Sequence, residues 1–243
     1  MLCLLWLTVF AQAAAIDVSR VTVSPPTVVT ELDLGKLKGE LRQLAWSPDK
    51  TQMYVQTTEP QSGGKEKPYH YVVTVAGGAL VTVAERPEWA AEYWTFKSDR
   101  SAPGIAALMI DVVQGKDTIK GLPPEGSVRG TGVGAEDLAN SNSTNATSNV
   151  ISLMLLGENV GRFVQTKPIP GLTFSWGPES SGAIAYVDAD GKLMLLDQKK
   201  HKQTIAGVKD ALLPAWTTDG ARLAYVKKTG RRKYALVWSD VAR

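Results

Sequence analysis

Leu44-Ala45-Trp46-Ser47-Pro48-Asp49-Lys50, running into Gln52-Met53-Tyr54-Val55, is the stretch on which the reading of this chain turns. It recurs. Pro214-Ala215-Trp216-Thr217-Thr218-Asp219-Gly220 leads into Arg222-Leu223-Ala224-Tyr225-Val226, and Phe174-Ser175-Trp176-Gly177-Pro178-Glu179 leads into Ala183-Ile184-Ala185-Tyr186-Val187. The copies draw on one set of turn chemistry. Proline presets φ at the turn, aspartate bonds nearby backbone, and Gly220 tolerates positive φ. The apolar run that leaves the turn, rich in β-branched and aromatic residues, reads as a strand.

The tryptophans act as rulers. Trp176 and Trp216 are 40 positions apart, Trp46 and Trp94 are 48 apart, and Trp94 to Trp176 spans 82, about two such periods. A period of roughly 40 to 45 residues with several short strands per unit is the sign of propeller blades. Such a unit cannot bury both faces alone, so neighbours must stack. Within units the hairpins are legible: Ala183–Val187 and Lys192–Leu196 flank Asp188-Ala189-Asp190-Gly191, and His70–Val75 and Leu80–Val83 flank Gly77-Gly78. The expected fold class is therefore all-β, a β-propeller of four-stranded antiparallel blades. Four blades are visible, with a further one hidden in 95–170 or an incomplete ring as the alternatives.

Trp-Ser-Pro-Asp, then a strand ending in an aromatic, then a strand and a Gly-Gly turn, resembles the WD40-like repeats of the TolB-type periplasmic β-propellers. The resemblance covers 41–83 and 172–238 and rests on Trp46, Pro48, Asp49, Trp176, Trp216, Asp219 and Gly220 as the structural repeat positions. Trp94-Thr95-Phe96-Lys97-Ser98-Asp99 lacks the proline, and 114–149 fits no blade. The resemblance implies a repeat protein, periplasmic or secreted, that binds another protein in the cell envelope. Fold alone does not settle activity, since propellers host scaffolds, sensors and enzymes alike.

The chain has 243 residues, 44% apolar, with 22 Gly and 13 Pro, ample turn chemistry for many short strands. Repeats run almost end to end, so 16–243 reads as a single propeller domain. Residues 1–15 are apolar and close on small residues, the pattern of a signal peptide rather than a membrane span, although the usual basic start is absent. The alternative is a buried first strand. Cys3 is the only cysteine and would leave with the signal, so no disulfide is expected. No stable membrane span is expected after signal removal. Val28–Leu34 is expected to pair with Tyr234–Trp238, because the last unit otherwise lacks an outer strand.

A net charge of +3 is too mild to call for nucleic acid. The basic residues cluster at Lys199-Lys200-His201-Lys202 and again at Lys227, Lys228, Arg231, Arg232 and Lys233. The second cluster is the candidate partner surface, set against the plainer reading of lysine-guarded hairpin loops. No catalytic, cofactor-binding or metal-ligating set is legible. The two histidines, His70 and His201, both fall beside turns without a readable acid–base partner, and no G-x-S-x-G elbow occurs. Gly130-Thr131-Gly132-Val133-Gly134 lacks the context of a phosphate loop, and Asp188-Ala189-Asp190-Gly191 lacks the other ligands of a calcium loop.

Residues 114–149 read as a flexible insertion that supplies no strand, being glycine-rich and then almost wholly Asn, Ser and Thr at Asn140–Asn149, with sequons at Asn142 and Asn145. Strand pattern resumes at Val150–Leu156 and Val160–Thr166, completing a unit begun by Ile105–Val112. Trp89, Tyr93 and Trp94 read as core packing between units before they read as a sugar platform. Two functions follow as expectations: a non-catalytic exported interaction scaffold, or a glycan-binding or carbohydrate-active propeller using its axial funnel.

Overall fold

The computed structural model describes residues 15–62, 66–90, 106–114, 117–122, 148–155, 158–165, 174–178, 181–188, 190–197 and 199–243, with 106–165, Phe174 and Trp176 described by backbone alone. The signal-peptide reading of 1–15, Trp94, Gly130–Gly134 and the sequons lie outside the described residues.

Along the chain a single 3-10 turn, Val18–Arg20, precedes β1 (Thr22–Val23) and β2 (Thr27–Asp33). β3 (Glu40–Trp46), β4 (Gln52–Pro60), β5 (Glu66–Thr74) and β6 (Leu80–Val83) form one antiparallel sheet in chain order. β7 (Ala106–Gln114), β8 (Asp117–Leu122), β9 (Ser148–Leu155) and β10 (Glu158–Gln165) form a second. A third contains β11 (Phe174–Trp176), β12 (Ala183–Val187), β13 (Leu193–Asp197) and β14 (Lys202–Thr204), again in chain order. The fourth is β15 (Ala211–Trp216), β16 (Arg222–Gly230) and β17 (Lys233–Ala242), to which both N-terminal strands add. The described chain is thus all-β, in four open antiparallel sheets.

The outer strand of the fourth sheet comes from the other end of the sequence, as expected. β2 pairs with β17 in the register Tyr234↔Leu32, Leu236↔Thr30 and Trp238↔Thr27, beginning one residue earlier than the sequence suggested. Beyond it β1 continues along β17, with Thr22 opposite Ala242. Without them β17 would present a bare edge.

The expectation that 114–149 supplies no strand is corrected at its start. Asp117–Leu122 is β8, paired to β7 through Val112↔Ile119 and Gln114↔Asp117. Thr118, Ile119 and Leu122 suit a pleated surface, and only Gly115-Lys116 separates the paired strands; Gly115 and Gly121 lent this strand the glycine-rich composition that suggested a loop. β9 also starts inside the range, at Ser148. This sheet runs β8-β7-β9-β10, so its order is not that of the chain.

The inner part of β16, Leu223–Val226, is buried on both faces, and its continuous apolar run shows why. Leu223 and Tyr225 point into a cluster with Ala183, Leu195 and Ile205 of the third sheet and with Ile16, Val18 and Val21. Ala224 and Val226 point the other way, into a cluster with Leu41, Trp46, Met53, Val55 and Val73 of the first sheet and Leu32 and Leu34. A strand covered on both sides needs no polar alternation, and each large apolar side chain removed from water there contributes about 1.5–3 kcal/mol. The leading strands come together: β15 lies between β11 and β3.

Candidate functional site

The repeat positions come first, because they decide what is available for anything else. In the first unit the Ser47 hydroxyl bonds Asp49 Oδ1 at 2.6 Å and exchanges bonds with the Gln52 backbone, while Asp49 Oδ1 accepts the Thr51 N–H. The turn at 217–222 repeats this atom for atom: Thr217 Oγ1 to Asp219 Oδ1 at 2.7 Å, Thr217 to the Arg222 backbone, and the Ala221 N–H to Asp219 Oδ1. The Ser47 hydroxyl and the bonds from Thr51 hold the Asp49 carboxyl below its ordinary range. Pro48 stands exposed on the same turn.

The third copy departs in a telling way. Its turn carries Gly177, where a Cβ would lie 2.7 Å from the Ala183 carbonyl and 2.8 Å from the Ser181 hydroxyl. Ser181 takes over the role of the missing side chain, its Oγ accepting the Ala183 N–H. The side chain of Trp176 lies outside the described residues. Trp46 and Trp216 are both buried, and each indole N–H has a partner: Trp46 donates to the Ala215 carbonyl of β15, and Trp216 to the Gly220 carbonyl of its own turn, both at 3.0 Å. The Trp216 backbone N–H reaches the Ser175 hydroxyl on β11.

Lys50 of the first turn crosses to Asp219 of the fourth sheet's turn, Nζ to Oδ2 at 2.6 Å. Burial by itself would raise the Asp219 carboxyl. The bonds from Lys50, the Ala221 N–H and Thr217, with the Lys50 charge, outweigh it and bring Asp219 down to about 2.

The candidate basic surface is divided by the structure. Lys228, Arg231 and Lys233 are exposed at the end of the β16–β17 hairpin, and Lys227 is half-buried on β16. Arg232 is exposed as well, and it also bonds to the fold. It holds a left-handed φ of 57°, bonds the Leu34 carbonyl through Nε and Nη2, and meets Glu40 at 2.5 Å. Its guanidinium fixes the segment that follows β2 while about half of its side chain stays exposed.

His70 lies in the middle of β5 rather than beside a turn. Its Nδ1 is 2.6 Å from the hydroxyl of Tyr54, which is fully buried between His70 and Trp89, the latter edge-on. Burial raises Tyr54 and, with the Arg86 charge, lowers His70, so the pair is neutral near pH 7. Trp89 is half-buried against Tyr54 of the first sheet, and Tyr93 and Trp94 lie outside the described residues.

One grouping escaped sequence reasoning. Asp17, Asp197 and His201 converge where the N-terminal turn meets the β13–β14 hairpin, with His201 Nδ1 3.0 Å from Asp197 Oδ2 and 3.2 Å from Asp17 Oδ1. By spacing alone the three could face a cation. Several of their oxygens already accept hydrogen bonds, however. Asp197, almost wholly buried, accepts the N–H groups of Lys199 and His201 on one oxygen and that of Val18 on the other; Asp17 Oδ1 accepts both donors of Ser19. Arg20 Nε lies 3.6 Å from Asp17 Oδ2. The arrangement is a hydrogen-bonded clasp. Only Asp197 and His201, four apart across a turn, were close enough in sequence to be read together.

No protein-family model matches the chain, and no curated protein matches it. Among solved structures it is similar to Sqt1 from Chaetomium thermophilum, at 14% identity and TM-score 0.22 over 84% of this chain; the chain spans 44% of that structure's length. It is also similar to two structures of glucose dehydrogenase, at 13% identity with TM-score 0.30, covering 85% of this chain and 83% of that one, and at 11% with 0.29, covering 83% and 81%. Overlaps this slight carry no argument about fold or activity. No helix among the described residues is long and apolar enough to cross a membrane.

Proposed function

We propose that this protein is an exported, non-catalytic β-propeller of the TolB type whose four sheets are blades, working in the periplasm as a protein–protein interaction scaffold. The observation that carries the reading is the matched hydrogen bonding of the turns at 47–52 and 217–222, with β11, β15 and β3 side by side, as the inner strands of successive blades would be. The N-terminal strand that completes the last sheet supports it further. A scaffold fits the inner strands better than an enzyme does. β15 is Ala-Leu-Leu-Pro-Ala-Trp with no charged group, and the buried Arg42 of β3 is paired with Glu66 at 3.5 Å rather than aimed at a ligand.

The partner surface is drawn from the exposed part of the basic hairpin: Lys228, Arg231 and Lys233. Its test is affinity capture from envelope extract, then titration with the purified partner, comparing the parent chain with a Lys228→Glu, Arg231→Glu, Lys233→Glu variant. The variant should keep its thermal stability and bind several-fold more weakly, mainly through a slower on-rate. Binding to a glycan panel or turnover of glycosides, without a protein partner, would replace this reading with the carbohydrate one.

A further inference from the structure

The first sheet ends on β6, Leu80-Val81-Thr82-Val83, which pairs with β5 on one side and with no described strand on the other. The phase of its hydrogen bonds follows from both flanks of β5. The Val75 N–H reaches the Thr51 carbonyl, so the odd-numbered residues of β5 bond toward β4; the Thr74 N–H reaches the Ala79 carbonyl, so the even-numbered ones bond toward β6. In an antiparallel ladder one residue gives both backbone groups to its neighbour strand and the next residue turns to the other side. His70↔Val83 and Val72↔Val81 are therefore the bonded pairs, and the N–H and C=O of Leu80 and Thr82 point away from β5 along the open edge.

Open edges are ordinarily guarded by charge, proline or a bulge. The other outer strands of this chain are. β2 carries an exposed Glu31, follows Pro25-Pro26 and breaks register between Thr30 and Val28. β14 is three residues long with an exposed Lys202, and β8 and β10 contain Lys120 and Arg162. β6 has none of these devices: its register with β5 is unbroken and it holds no charge and no proline. Val81 is 57% exposed, and among the described residues the other large apolar side chain so exposed is Val28, at 62%. Val28 lies on β2, which meets β6 at its start, where a Cβ on Gly78 would lie 2.2 Å from the Val29 carbonyl.

We propose that β6 is a docking edge for an extended segment of a partner protein, which adds as a further strand by bonding its backbone to Leu80 and Thr82 and laying apolar side chains beside Val81 and Val83. Strand addition of this kind takes affinity from main-chain bonds and specificity from alternate side chains. The occupant follows from what the edge offers. A row of outward N–H and C=O groups is matched by another extended backbone, and the uncharged strand with its exposed valine selects β-branched residues at alternate positions, because neighbours across strands on one face are the pairs that stabilise a sheet. A second copy of this chain fits less well: four residues set against four cover a small part of the roughly 1,200 Å² that a stable interface takes, whereas a flexible segment can follow the edge past Gly78 toward Val28. The edge uses no residue of the basic hairpin, so it stands apart from the surface assigned above.

The test uses the full chain and a fluorescein-labelled peptide, Lys-Thr-Val-Thr-Val-Thr-Val-Lys, with a form N-methylated at alternate amides as the control that keeps the side chains and loses the donors. Binding is read by anisotropy and by amide exchange in NMR spectra. The peptide should bind and slow exchange several-fold at Leu80 and Thr82, leaving Val81 and Val83, already bonded to β5, unchanged. Thr82→Pro removes an outward N–H and no ladder bond, so it should weaken binding about fivefold, the size of one lost hydrogen bond, with the melting temperature kept. Val81→Lys, which places a charge beside the added strand, should weaken it likewise. The Lys228→Glu, Arg231→Glu, Lys233→Glu variant should bind the peptide as the parent does. Unslowed exchange at Leu80 and Thr82, equal binding of the N-methylated form, or unchanged affinity in both edge variants would overturn the proposal. So would protection of the same amides that rises with protein concentration in the absence of peptide, which would give the edge to a second copy.

Discussion

The turn at 47–52 and the turn at 217–222 share one hydrogen-bond pattern, yet they are tied to the rest of the molecule differently. The position that needs a left-handed backbone is Lys50 in the first, at φ 62°, and Gly220 in the second, at φ 74°. Gly220 has no freedom to be anything else: a Cβ there would lie 2.4 Å from Pro178 Cγ of the third sheet's turn. The matching position in the first unit has room for a side chain, and Lys50 uses it to reach Asp219. The indoles differ likewise, Trp46 bonding across to β15 and Trp216 bonding back to its own turn. A repeat thus dictates how a turn closes on itself, while the neighbouring sheet decides what each copy does with its spare groups.

The comparison can be broken at its ends and then at its centre. Deleting Thr27–Asp33 removes the strand common to the N- and C-terminal halves, leaves the β17 edge bare and uncovers Leu236 of the core. We expect loss of the cooperative thermal transition and aggregation, read by calorimetry and light scattering. Next in size, Trp46→Ala and Trp216→Ala should each cost about 3–5 kcal/mol in urea unfolding. The two units should diverge on Trp→Phe, because Trp46→Phe strips the Ala215 carbonyl of a partner on another sheet. A unit that tolerates alanine with a loss below about 1 kcal/mol would show that its indole is not part of the core.

Smaller effects sharpen the asymmetry of the matched turn position. Gly220→Ala should destabilise by about 1–3 kcal/mol, from positive φ and the clash with Pro178 together. Lys50→Gly should stay within about 1 kcal/mol of the parent, since relief of the left-handed lysine offsets a half-exposed ion pair. Equal losses at both sites would mean that Pro178 yields freely. Least in size is a pH effect. Asp219, at about 2 in the fold, lies below the ordinary aspartate value near 4, so its contribution is complete above about pH 4 and is lost as pH falls toward 2. Asp219→Asn should flatten that part of the acid limb of a stability–pH curve, and an unchanged limb would refute the assignment.

The second sheet is the region where sequence reasoning reached least far. Its strands at Ala106–Gln114, Ser148–Leu155 and Glu158–Gln165 were legible as apolar runs, but Asp117–Leu122 was hidden, since one hairpin strand of mixed polarity inside a glycine-rich stretch gives a weak periodic signal. Its order, with β8 outside β7 and β9 inside, follows no rule of local sequence. By contrast, the pairing of β2 with β17 was inferable despite some 200 intervening residues, because an unfinished sheet demands an edge partner and the N-terminal segment was the strand left over.

The sequence by itself determined the strand-and-turn units, the proline, aspartate and glycine of their turns, the burial of Trp46 and Trp216, and the completion of the last sheet from the N-terminus. These depend on backbone preferences, on bonds between residues two to five apart, and on the need to cover apolar faces, all readable along the chain. Only the tertiary structure decided that Trp46 bonds to β15, that Lys50 reaches Asp219, that Arg232 bonds the Leu34 carbonyl, and that Asp17 meets Asp197 and His201 across 180 positions. Contacts of that kind are chosen by how the sheets stack. A side chain cannot announce in sequence which neighbour will lie within 3 Å once they do.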